Sequence, residues 1–378
     1  MIAQPPLWFI VIAFIGAIGP LVFFHELGHY GVARLFGIGA ETFSIGFGRE
    51  VIGWTDRLGT RWKIGWLPVG GYVRFVGDMN PASQPDAEAE LTPDQQAHAF
   101  HLHPVWQRFL VVSAGPAANF ILAIVIFAAF FAIYGLPRSP NVIGSLYPGG
   151  VAQQIGLHPG DRILAIDGHA TASFEDIRRD VALLGGQRVE LRYAPAGTSR
   201  EIIRLVTIES VEMKDEFGQP YRKGAIGILP ASRDFQRLAV WQLLPEATRA
   251  VFGITRSMVQ GLGQVVSGQR STDELGGPLK MAQMAGQQAS LGLPEFVQLV
   301  ALFSINLGFI NLLPVPMLDG GHLVFYAIEA VRRRPVSARA QDWAFRGGLA
   351  LLLALILFVS SKDLASFGWL GRLGRLIG

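Results

Sequence analysis

Two histidines and a glutamate lie close together near the start of the chain, in the stretch FFHELGHYGVARLFG. Glu26 follows His25 directly, and His29 comes four residues after His25. On a helix this spacing places both imidazoles on one face, where they can bind one zinc ion. The glutamate is then free to accept a proton from water. The pattern indicates a metal centre that performs hydrolysis.

Zinc in such a site needs a third protein ligand, which this stretch does not contain. Leu35 stands where a metzincin has its third histidine, so that class of metalloprotease is excluded. Glu41 or Glu50 could serve as the glutamate ligand of a soluble gluzincin, but both fall on a predicted β-hairpin. We therefore favour an acidic residue from a second apolar segment.

The segment NLLPVPMLDGGHLVFYAIEAVRRR carries such a residue, Asp319. Pro314 and Pro316 interrupt its helical pattern, and irregular backbone at membrane depth is tolerated only where protein or a cavity covers it. His25 lies about 27 Å into its own apolar helix at 1.5 Å per residue, and Asp319 reaches a similar depth. Asp319 is therefore the favoured third ligand. His322, one turn later, is the alternative ligand, and a helix N-cap is the structural alternative.

Other polar residues have weaker claims to a functional role. Asn311 precedes the proline-bracketed stretch and could bind substrate backbone or stabilise an oxyanion, with a structural amide as the alternative. Asn119, in AGPAANF, is interpreted as a buried residue of helix packing. His98, His101 and His103 have the composition of a metal cluster, but histidines in a polar loop are usually solvated. We expect no second metal site there.

The composition is typical of a membrane protein. Half of the 378 residues are hydrophobic, 16% are charged and the mean hydropathy is positive. Membrane-crossing segments are predicted at 1–37, 107–136, 294–331 and 344–361. The first has no Lys or Arg before Arg34 and no cleavage motif, so we expect it to remain as a helix, kinked at Pro20. The fold class is an α-helical polytopic membrane protein.

Basic residues predict the orientation of these segments. They cluster after the first segment and before the last one, at Arg49, Arg57, Arg61, Lys63, Arg74, Arg332, Arg333, Arg334, Arg339 and Arg346. Loops rich in Lys and Arg stay in the cytoplasm. The N-terminus and the long 137–294 segment are therefore predicted to lie on the opposite side of the membrane.

Three regions outside the spans have their own patterns. Residues 38–106 are predicted to form a membrane-associated β-hairpin, from FSIGFGREVIGWT and RWKIGWLPVGGYVRF around DRLGT, followed by a polar cytoplasmic loop. Residues 140–210 match one small inserted α+β domain, and GLHPGDRILAIDGHATASFEDI has the PDZ order of turn, strand, turn and helix. Residues 234–270 are amphipathic and predicted to lie on the outer membrane surface, with packing on the PDZ domain as the alternative.

The absence of cysteine and the distribution of charge exclude disulfides, thiolate metal sites and an evident nucleic-acid partner. The chain has no cysteine, so it forms no disulfides and no thiolate metal site. Its net charge of +3 comes largely from the arginines of the predicted cytoplasmic loops. Since no nucleic-acid-binding pattern accompanies them, we expect no nucleic-acid partner.

Taken in order, HELGHYGVAR, AGPAANFILA, a PDZ-like insert and NLLPVPMLDGG resemble the site-2 protease family of intramembrane zinc metalloproteases, in particular its bacterial RseP-like group. The resemblance covers nearly the whole chain. It implies that His25, His29 and Asp319 bind zinc, that Glu26 is the catalytic residue and that Asn311 lies near bound substrate. It also implies that residues 43–77 are the membrane-associated β-region. RseP itself has two tandem PDZ domains, whereas one is visible here.

The resemblance further implies an enzyme of the bacterial inner membrane with its PDZ domain on the periplasmic side. Its partners would be the lipid bilayer and single-span membrane proteins pre-cleaved by a site-1 protease, for example an anti-sigma factor or a signal-peptide remnant. Two other functions compete: a non-catalytic membrane-anchored PDZ receptor with a structural metal, and a metal transporter. The glutamate of HELGH has no evident structural role, and no inverted repeat is visible, so proteolysis is favoured.

Overall fold

The computed structural model describes residues 5–77, 91–214, 220–231, 234–267 and 277–366. Its helices are α1 (Leu7–Leu35), α2 (Pro93–His98), α3 (Val105–Tyr134), α4 (Val151–Gln154), α5 (Phe174–Leu183), α6 (Val240–Val266), α7 (Pro278–Leu291), α8 (Leu293–Asn311), α9 (Asp319–Arg332) and α10 (Ala338–Ser366). Its strands are β1 (Ala40–Thr55), β2 (Arg61–Phe75), β3 (Leu136–Arg138), β4 (Ile143–Leu146), β5 (Arg162–Ile166), β6 (His169–Ala170), β7 (Arg188–Ala194), β8 (Ile202–Thr207), β9 (Glu209–Lys214), β10 (Pro220–Ala225), β11 (Ile228–Pro230) and β12 (Asp234–Gln236). The chain divides into two compact units, Phe131–Leu243 and the remainder.

Four of the described helices are long and apolar enough to cross a membrane: α1, α3, α8 and the Arg339–Asp363 part of α10. At about 1.5 Å per residue, even the 19 residues of α8 match a hydrocarbon core of about 30 Å. Large apolar side chains such as Leu7, Trp8 and Leu357 are exposed on these helices, as expected of surfaces that face lipid. The predicted polytopic α-helical architecture is confirmed. Pro20 lies inside α1, which runs on to its end at Leu35.

The first half of α1 packs against α7 and α8 through small side chains. Ala13 and Ala17 are buried in one cluster with Ala285 and other apolar residues of α7 and α8. Gly286 comes so close to α1 that an added Cβ would lie 2.6 Å from the side chain of Ile10. α7 therefore depends on the small residues Ala285 and Gly286 for its close approach to α1.

The N-terminus of α7 is capped by a carboxylate from the last helix. Its N-cap residue is Gly277, which has no side chain that could accept a hydrogen bond. The backbone N–H of Gly277 donates to Oδ1 of Asp363 at 3.2 Å, and that of Lys280 donates to Oδ2 at 3.1 Å. A Cβ at position 277 would lie 2.5 Å from this carboxylate. The 4% exposed Asp363 thus ties α10 to the start of α7.

β1 and β2 form the predicted hairpin, closed by a turn in which the backbone N–H of Asp56 donates to the carbonyl of Thr60. The first half of β1 pairs with both halves of β2, so Phe43 lies opposite both Trp62 and Val73. The hairpin is therefore folded back into four short paired segments. In the described pairings, residues 71–75 have a neighbour on one side only.

The hairpin packs on α1 and on the segment before α3. Tyr30, Phe43, Phe75 and Phe100 belong to one buried cluster. The rings of Phe75 and Phe100 stack at 4.9 Å, and the backbone N–H of Phe100 donates to the carbonyl of Val76. The polar loop expected within 38–106 is thus partly built into the fold, because Phe100 supplies a core residue. Residues 80–90 of that loop lie outside the described residues.

The predicted break between two helices is present. α8 ends at Asn311 and α9 begins at Asp319. The intervening chain folds back on the first turn of α9, where a Cβ on Gly320 would lie 2.2 Å from the carbonyl oxygen of Leu313. A Cβ on Gly321 would lie 2.5 Å from the carbonyl oxygen of Val315. The two glycines after Asp319 are therefore needed for the break to fold in this way.

The unit Phe131–Leu243 is an α+β domain around a four-stranded antiparallel sheet of order β6-β5-β7-β8. α5 packs on it and begins with a capping box, in which Ser173 and Asp176 each satisfy the other's backbone N–H. The unit extends beyond the predicted 140–210 range. β11 pairs with β4, and Ile226 is buried in the same core as Ile163, so later residues complete the domain.

α6 begins later than the predicted 234–270 segment, since residues 234–236 form β12 and pair with β3. The exposed large apolar residues of α6 share one face: Val240, Trp241, Leu244, Phe252, Val259 and Leu262. At 100° per residue they fall within a stripe of about 120°. The helix is therefore amphipathic, as its sequence predicts.

Candidate metal centre

The buried face of α1 carries the three polar residues of the HELGH stretch. His25, Glu26 and His29 are 7%, 8% and 8% exposed. The imidazole rings of His25 and His29 lie 4.8 Å apart and nearly perpendicular, with their Nε2 atoms at 3.3 Å. One turn of helix thus brings two nitrogen donors to a common point.

Asp319 meets the two histidines from the first turn of α9. Its Oδ2 atom lies 3.2 Å from Nε2 of His25 and 3.5 Å from Nε2 of His29. Within the described part of the chain, these three residues are the one group of at least three His, Cys, Asp or Glu side chains whose ligand atoms lie within 4.8 Å of one another. The helix break therefore delivers a carboxylate to the histidine pair.

The donor set fits a zinc ion. In a tetrahedral site, ligand atoms about 2.0 to 2.1 Å from zinc are separated from each other by about 3.3 Å. The three separations of 3.2, 3.3 and 3.5 Å match this edge length. Two imidazoles and one carboxylate are also a typical ligand set of catalytic zinc, which keeps a fourth position open.

α3 supplies a hydrogen-bond partner behind His29. Nδ1 of His29 lies 2.9 Å from the carbonyl oxygen of Val111. A carbonyl can only accept, so Nδ1 carries the hydrogen and donates it. In a neutral imidazole, Nε2 is then left with a free lone pair that points towards Asp319 and His25. This is the tautomer that a metal-binding histidine requires.

α3 also approaches His25 through the side chain of Asn119. Nδ2 of Asn119 lies 3.1 Å from Nδ1 of His25, and the asparagine is fully buried. The backbone carbonyl of Asn119 accepts a hydrogen bond from the hydroxyl of Ser304 in α8 at 2.7 Å. Asn119 was interpreted from the sequence as a packing residue, but its amide group also contacts a histidine of the centre.

Small residues let α1 and α3 approach closely enough for these contacts. A Cβ on Gly115 would lie 2.2 Å from Nε2 of His29. A Cβ on Gly28 would lie 2.3 Å from the carbonyl oxygen of Ala114 and 2.8 Å from Cβ of Ala118. Any larger residue at these positions would separate the helices. The small residues of AGPAANF therefore explain how a backbone carbonyl and an amide reach the two histidines.

Glu26 lies against the hairpin, outside the three-residue ligand group. A Cβ on Gly71 would lie 3.0 Å from Cγ of Glu26, and the backbone of Val73 lies beside the Glu26 carboxyl. Both residues belong to the segment 71–75, which is paired on one side only. The acidic residue of the motif thus faces the free edge of a β-segment.

The hairpin turn is attached to α1 one turn beyond the centre. The hydroxyl of Tyr30 and the indole N–H of Trp62 donate to Oδ2 of Asp56 at 3.2 and 2.8 Å. The backbone N–H groups of Leu58 and Thr60 donate to Oδ1 at 2.9 Å. Burial acts to raise the pKa of Asp56, but these hydrogen bonds outweigh it and hold the pKa below its ordinary value.

The alternative ligands lie elsewhere. Glu41 pairs with Arg74 at 2.7 Å, and Glu50 pairs with Arg61, so both glutamates are engaged on the hairpin. His322 packs its ring 5.1 Å from that of Phe345 and is outside the ligand group. None of these contacts directs the side chain to the histidine pair.

The remaining polar candidates also lie outside the group. His98 and His103 make local hydrogen bonds to the carbonyl of Asp94 and the side chain of Gln107. Asn311 is the half-buried last residue of α8. Its role near substrate stays a prediction.

Comparison with known proteins places the chain in a family. A family model described as "Peptidase family M50" matches residues 13–355. The chain belongs to peptidase family M50. The sequence-based resemblance to site-2 proteases is thereby confirmed.

Relatives of this M50 peptidase match it along nearly its whole length. "Putative zinc metalloprotease Atu1380" of Agrobacterium fabrum is 41% identical over 362 residues, which cover 94% of this chain and 96% of the relative. "Metalloprotease MmpA" of Caulobacter vibrioides is 37% identical over 378 residues, which cover 93% and 94%. The predicted enzyme class and cofactor are also confirmed: the M50 peptidase is a multi-pass membrane zinc metalloprotease.

Among the solved structures with a partial similarity to the M50 peptidase is a PDZ domain. The PDZ domain of the SdrC-like protein Lmo2051 from Listeria monocytogenes is 23% identical, with a TM-score of 0.20, and the match covers 25% of this chain and 90% of that one. We describe the unit Phe131–Leu243 as an α+β PDZ-like domain because of its own four-stranded sheet and its capped helix α5.

Proposed function

We propose that this M50 peptidase cleaves peptide bonds inside the transmembrane segments of single-span membrane proteins. The observation that supports this is the placement of His25, Glu26 and His29 on the buried face of a membrane-length helix. His25 follows the start of α1 by 18 residues, about 27 Å along the helix. A polar group at that depth is costly unless it has a task there.

In this proposal each polar residue has a defined role. His25, His29 and Asp319 hold the zinc ion, and Glu26 is the general base. Zinc, when bound, polarises the scissile carbonyl and makes water a better nucleophile at neutral pH. Glu26 accepts a proton from the attacking water and returns it to the leaving nitrogen. Asn311 contacts the substrate backbone near the bond that is cleaved.

A helical substrate must be unwound locally, because its carbonyls are engaged in hydrogen bonds. The free edge of residues 71–75 offers backbone groups to an extended chain, and this edge runs past Glu26. We infer that the unwound segment adds to this edge as a further strand. The scissile bond would then lie within reach of the Glu26 carboxylate.

The proposed location is the bacterial inner membrane, with the PDZ-like domain on the periplasmic side. The cluster of arginines before α10 supports a cytoplasmic position for that loop. The proposed process is regulated intramembrane proteolysis, in which a site-1 protease first shortens the substrate. The domain between the second and third spans would then exclude substrates that keep a bulky outer domain.

The catalytic assignment is tested by cleavage of a tagged single-span substrate with the purified, reconstituted enzyme. Glu26→Gln should retain one zinc per chain and lose cleavage, because Glu26 is a base outside the ligand group. Glu41→Gln, a glutamate change on the hairpin, is the matched control and should retain both. Zinc loss in Glu26→Gln, or full activity, contradicts the assignment. Absence of cleavage by the wild-type enzyme with zinc bound would favour the receptor alternative.

The size filter is tested with one substrate presented intact and with its outer domain removed. β3 and β12 pair so that Arg138 lies opposite Asp234, so residues 139–233 can be replaced by a short glycine linker. The full enzyme should cut the shortened substrate faster, and the deletion variant should cut both. Equal cutting of both substrates by the full enzyme overturns the filter and leaves the catalytic assignment intact.

A further inference from the structure

The buried side chain of Asn119 has one polar atom without a hydrogen-bond partner. The residue is fully buried, its Nδ2 lies 3.1 Å from Nδ1 of His25, and its Oδ1 has no hydrogen-bond partner. A buried acceptor without a donor costs about 1 to 3 kcal/mol. The two ends of an amide have the same shape, and hydrogen-bond partners decide which end faces which neighbour.

The two orientations of this amide have opposite consequences for His25. If Nδ2 donates to Nδ1 of His25, a neutral ring carries its hydrogen on Nε2, which then cannot bind a metal. If Oδ1 faces Nδ1 instead, it accepts the Nδ1 hydrogen and leaves Nε2 with a free lone pair. The second orientation gives the buried oxygen a donor and turns the NH2 group to the side on which Oδ1 has no partner, so the required tautomer of His25 decides between the two.

The hydrogen bond of His29 shows independently which ring nitrogen carries the hydrogen when Nε2 faces the metal centre. The carbonyl of Val111 can only accept, so Nδ1 of His29 is the donor in that hydrogen bond. Both histidines turn Nε2 towards Asp319 and turn Nδ1 towards α3. The same helix therefore backs both rings, once with a backbone carbonyl and once with a side chain.

We propose that Asn119 is a positioning residue that accepts the Nδ1 hydrogen of His25 through Oδ1 and so holds Nε2 in its zinc-binding tautomer and direction. The inference rests on the proposed role of His25 as a zinc ligand. Outer partners of this kind orient metal-binding histidines and raise their affinity for the metal. Asn119 touches neither substrate nor zinc in this role.

Helix packing alone does not account for the amide. The contact between α3 and α8 at this point uses the backbone carbonyl of Asn119, which accepts from the hydroxyl of Ser304. An apolar residue at position 119 would keep that carbonyl. The side chain is therefore available for His25, and the two roles can be separated by mutation.

The experiment compares zinc affinity, by competition with a chromogenic chelator, in four variants of the full-length enzyme. Asn119→Leu removes the acceptor at similar size, and we expect zinc affinity to fall about 10- to 100-fold. Asn119→Asp keeps an acceptor, so its affinity should stay within about threefold of wild type. Ser304→Ala removes the neighbouring packing hydrogen bond and should leave affinity unchanged. His25→Ala is the reference for loss of a ligand.

Thermal unfolding of the metal-free proteins separates positioning from folding. Asn119→Leu should melt near the wild-type temperature without zinc, while its gain in melting temperature on adding zinc should shrink. Wild-type zinc affinity in Asn119→Leu overturns the inference. An equal loss of zinc affinity in Asn119→Leu and Asn119→Asp also overturns the inference. That result is expected if the amide donates to His25, because a carboxylate cannot donate a hydrogen bond in its place. If His25→Ala binds zinc normally, the proposed ligand set itself fails.

Discussion

Replacing Gly115 by alanine tests how His29 is seated against α3. The new Cβ would lie 2.2, 2.5 and 2.8 Å from three atoms of the His29 ring. Unstrained carbon contacts begin at about 3.5 Å, so the ring or the helix must move by about 1 Å. Overpacking of this kind costs about 1 to 3 kcal/mol, and a misplacement of about 1 Å at a reacting group costs about 100-fold in rate. The movement also breaks the hydrogen bond from His29 to Val111.

We therefore expect Gly115→Ala to lower zinc affinity at least about tenfold and cleavage about 100-fold, with a lower melting temperature. Chelator competition, cleavage of a tagged single-span substrate and thermal unfolding measure these effects. Gly31→Ala is the matched control, because nothing lies within 4 Å of a Cβ at that position of α1. It should keep zinc and activity and gain about 0.5 to 1 kcal/mol of stability. Wild-type zinc affinity and activity in Gly115→Ala would refute the described seating of His29.

Three further predictions concern the third ligand, the hairpin turn and the membrane topology. Asp319→Asn should lower zinc affinity at least about tenfold in chelator competition, whereas His322→Ala should change it by less than about threefold; the reverse order would move the third ligand along α9. Asp56→Asn should lower the unfolding free energy by about 1 kcal/mol or more at neutral pH. Since the folded-state pKa of Asp56 is depressed, its contribution is present above the ordinary carboxyl pKa and is lost as pH falls through the folded value. The difference between variant and wild type should therefore shrink below about pH 4, and a pH-independent difference in thermal unfolding would contradict this. Because the chain has no cysteine, the variants Ser199→Cys and Ser337→Cys each contain a single thiol. A membrane-impermeant thiol reagent should label these two thiols from opposite sides of the membrane. Labelling of both from the same side refutes the proposed topology.

The convergence of residues at the candidate metal centre was predictable because its signals are local. His25, Glu26 and His29 are recognised by their spacing along one helix, and Asp319 by the prolines that interrupt the apolar segment before it. The partner of Asn119 was not predictable, since the two residues in contact are 94 positions apart. A single polar residue in an apolar helix was the available signal, and it fits packing equally well.

The elements that were missed depend on tertiary contacts. α7 has a weak apolar pattern, PLKMAQMAGQQASL, and is held by the close approach of Ala285 and Gly286 to α1. The end of the PDZ-like domain was missed because the short β11 is defined by its pairing with the distant β4. In both cases, stability comes from a partner that is remote in sequence, which local patterns cannot show.

Part of the fold depends on Asp363, which is synthesised after all four polar residues of the candidate site. The N–H groups of Gly277 and Lys280 lack this acceptor until the ribosome has added residue 363 and α10 has been inserted. Gly277, the N-cap residue, cannot supply a side-chain cap in its place, so until then the start of α7 lacks this carboxylate cap. A chain truncated before Asp363 would still contain His25, Glu26, His29 and the later Asp319, but would lack this brace. The nascent polypeptide thus contains its candidate metal-binding and catalytic residues before the contacts from Asp363 to α7 can form.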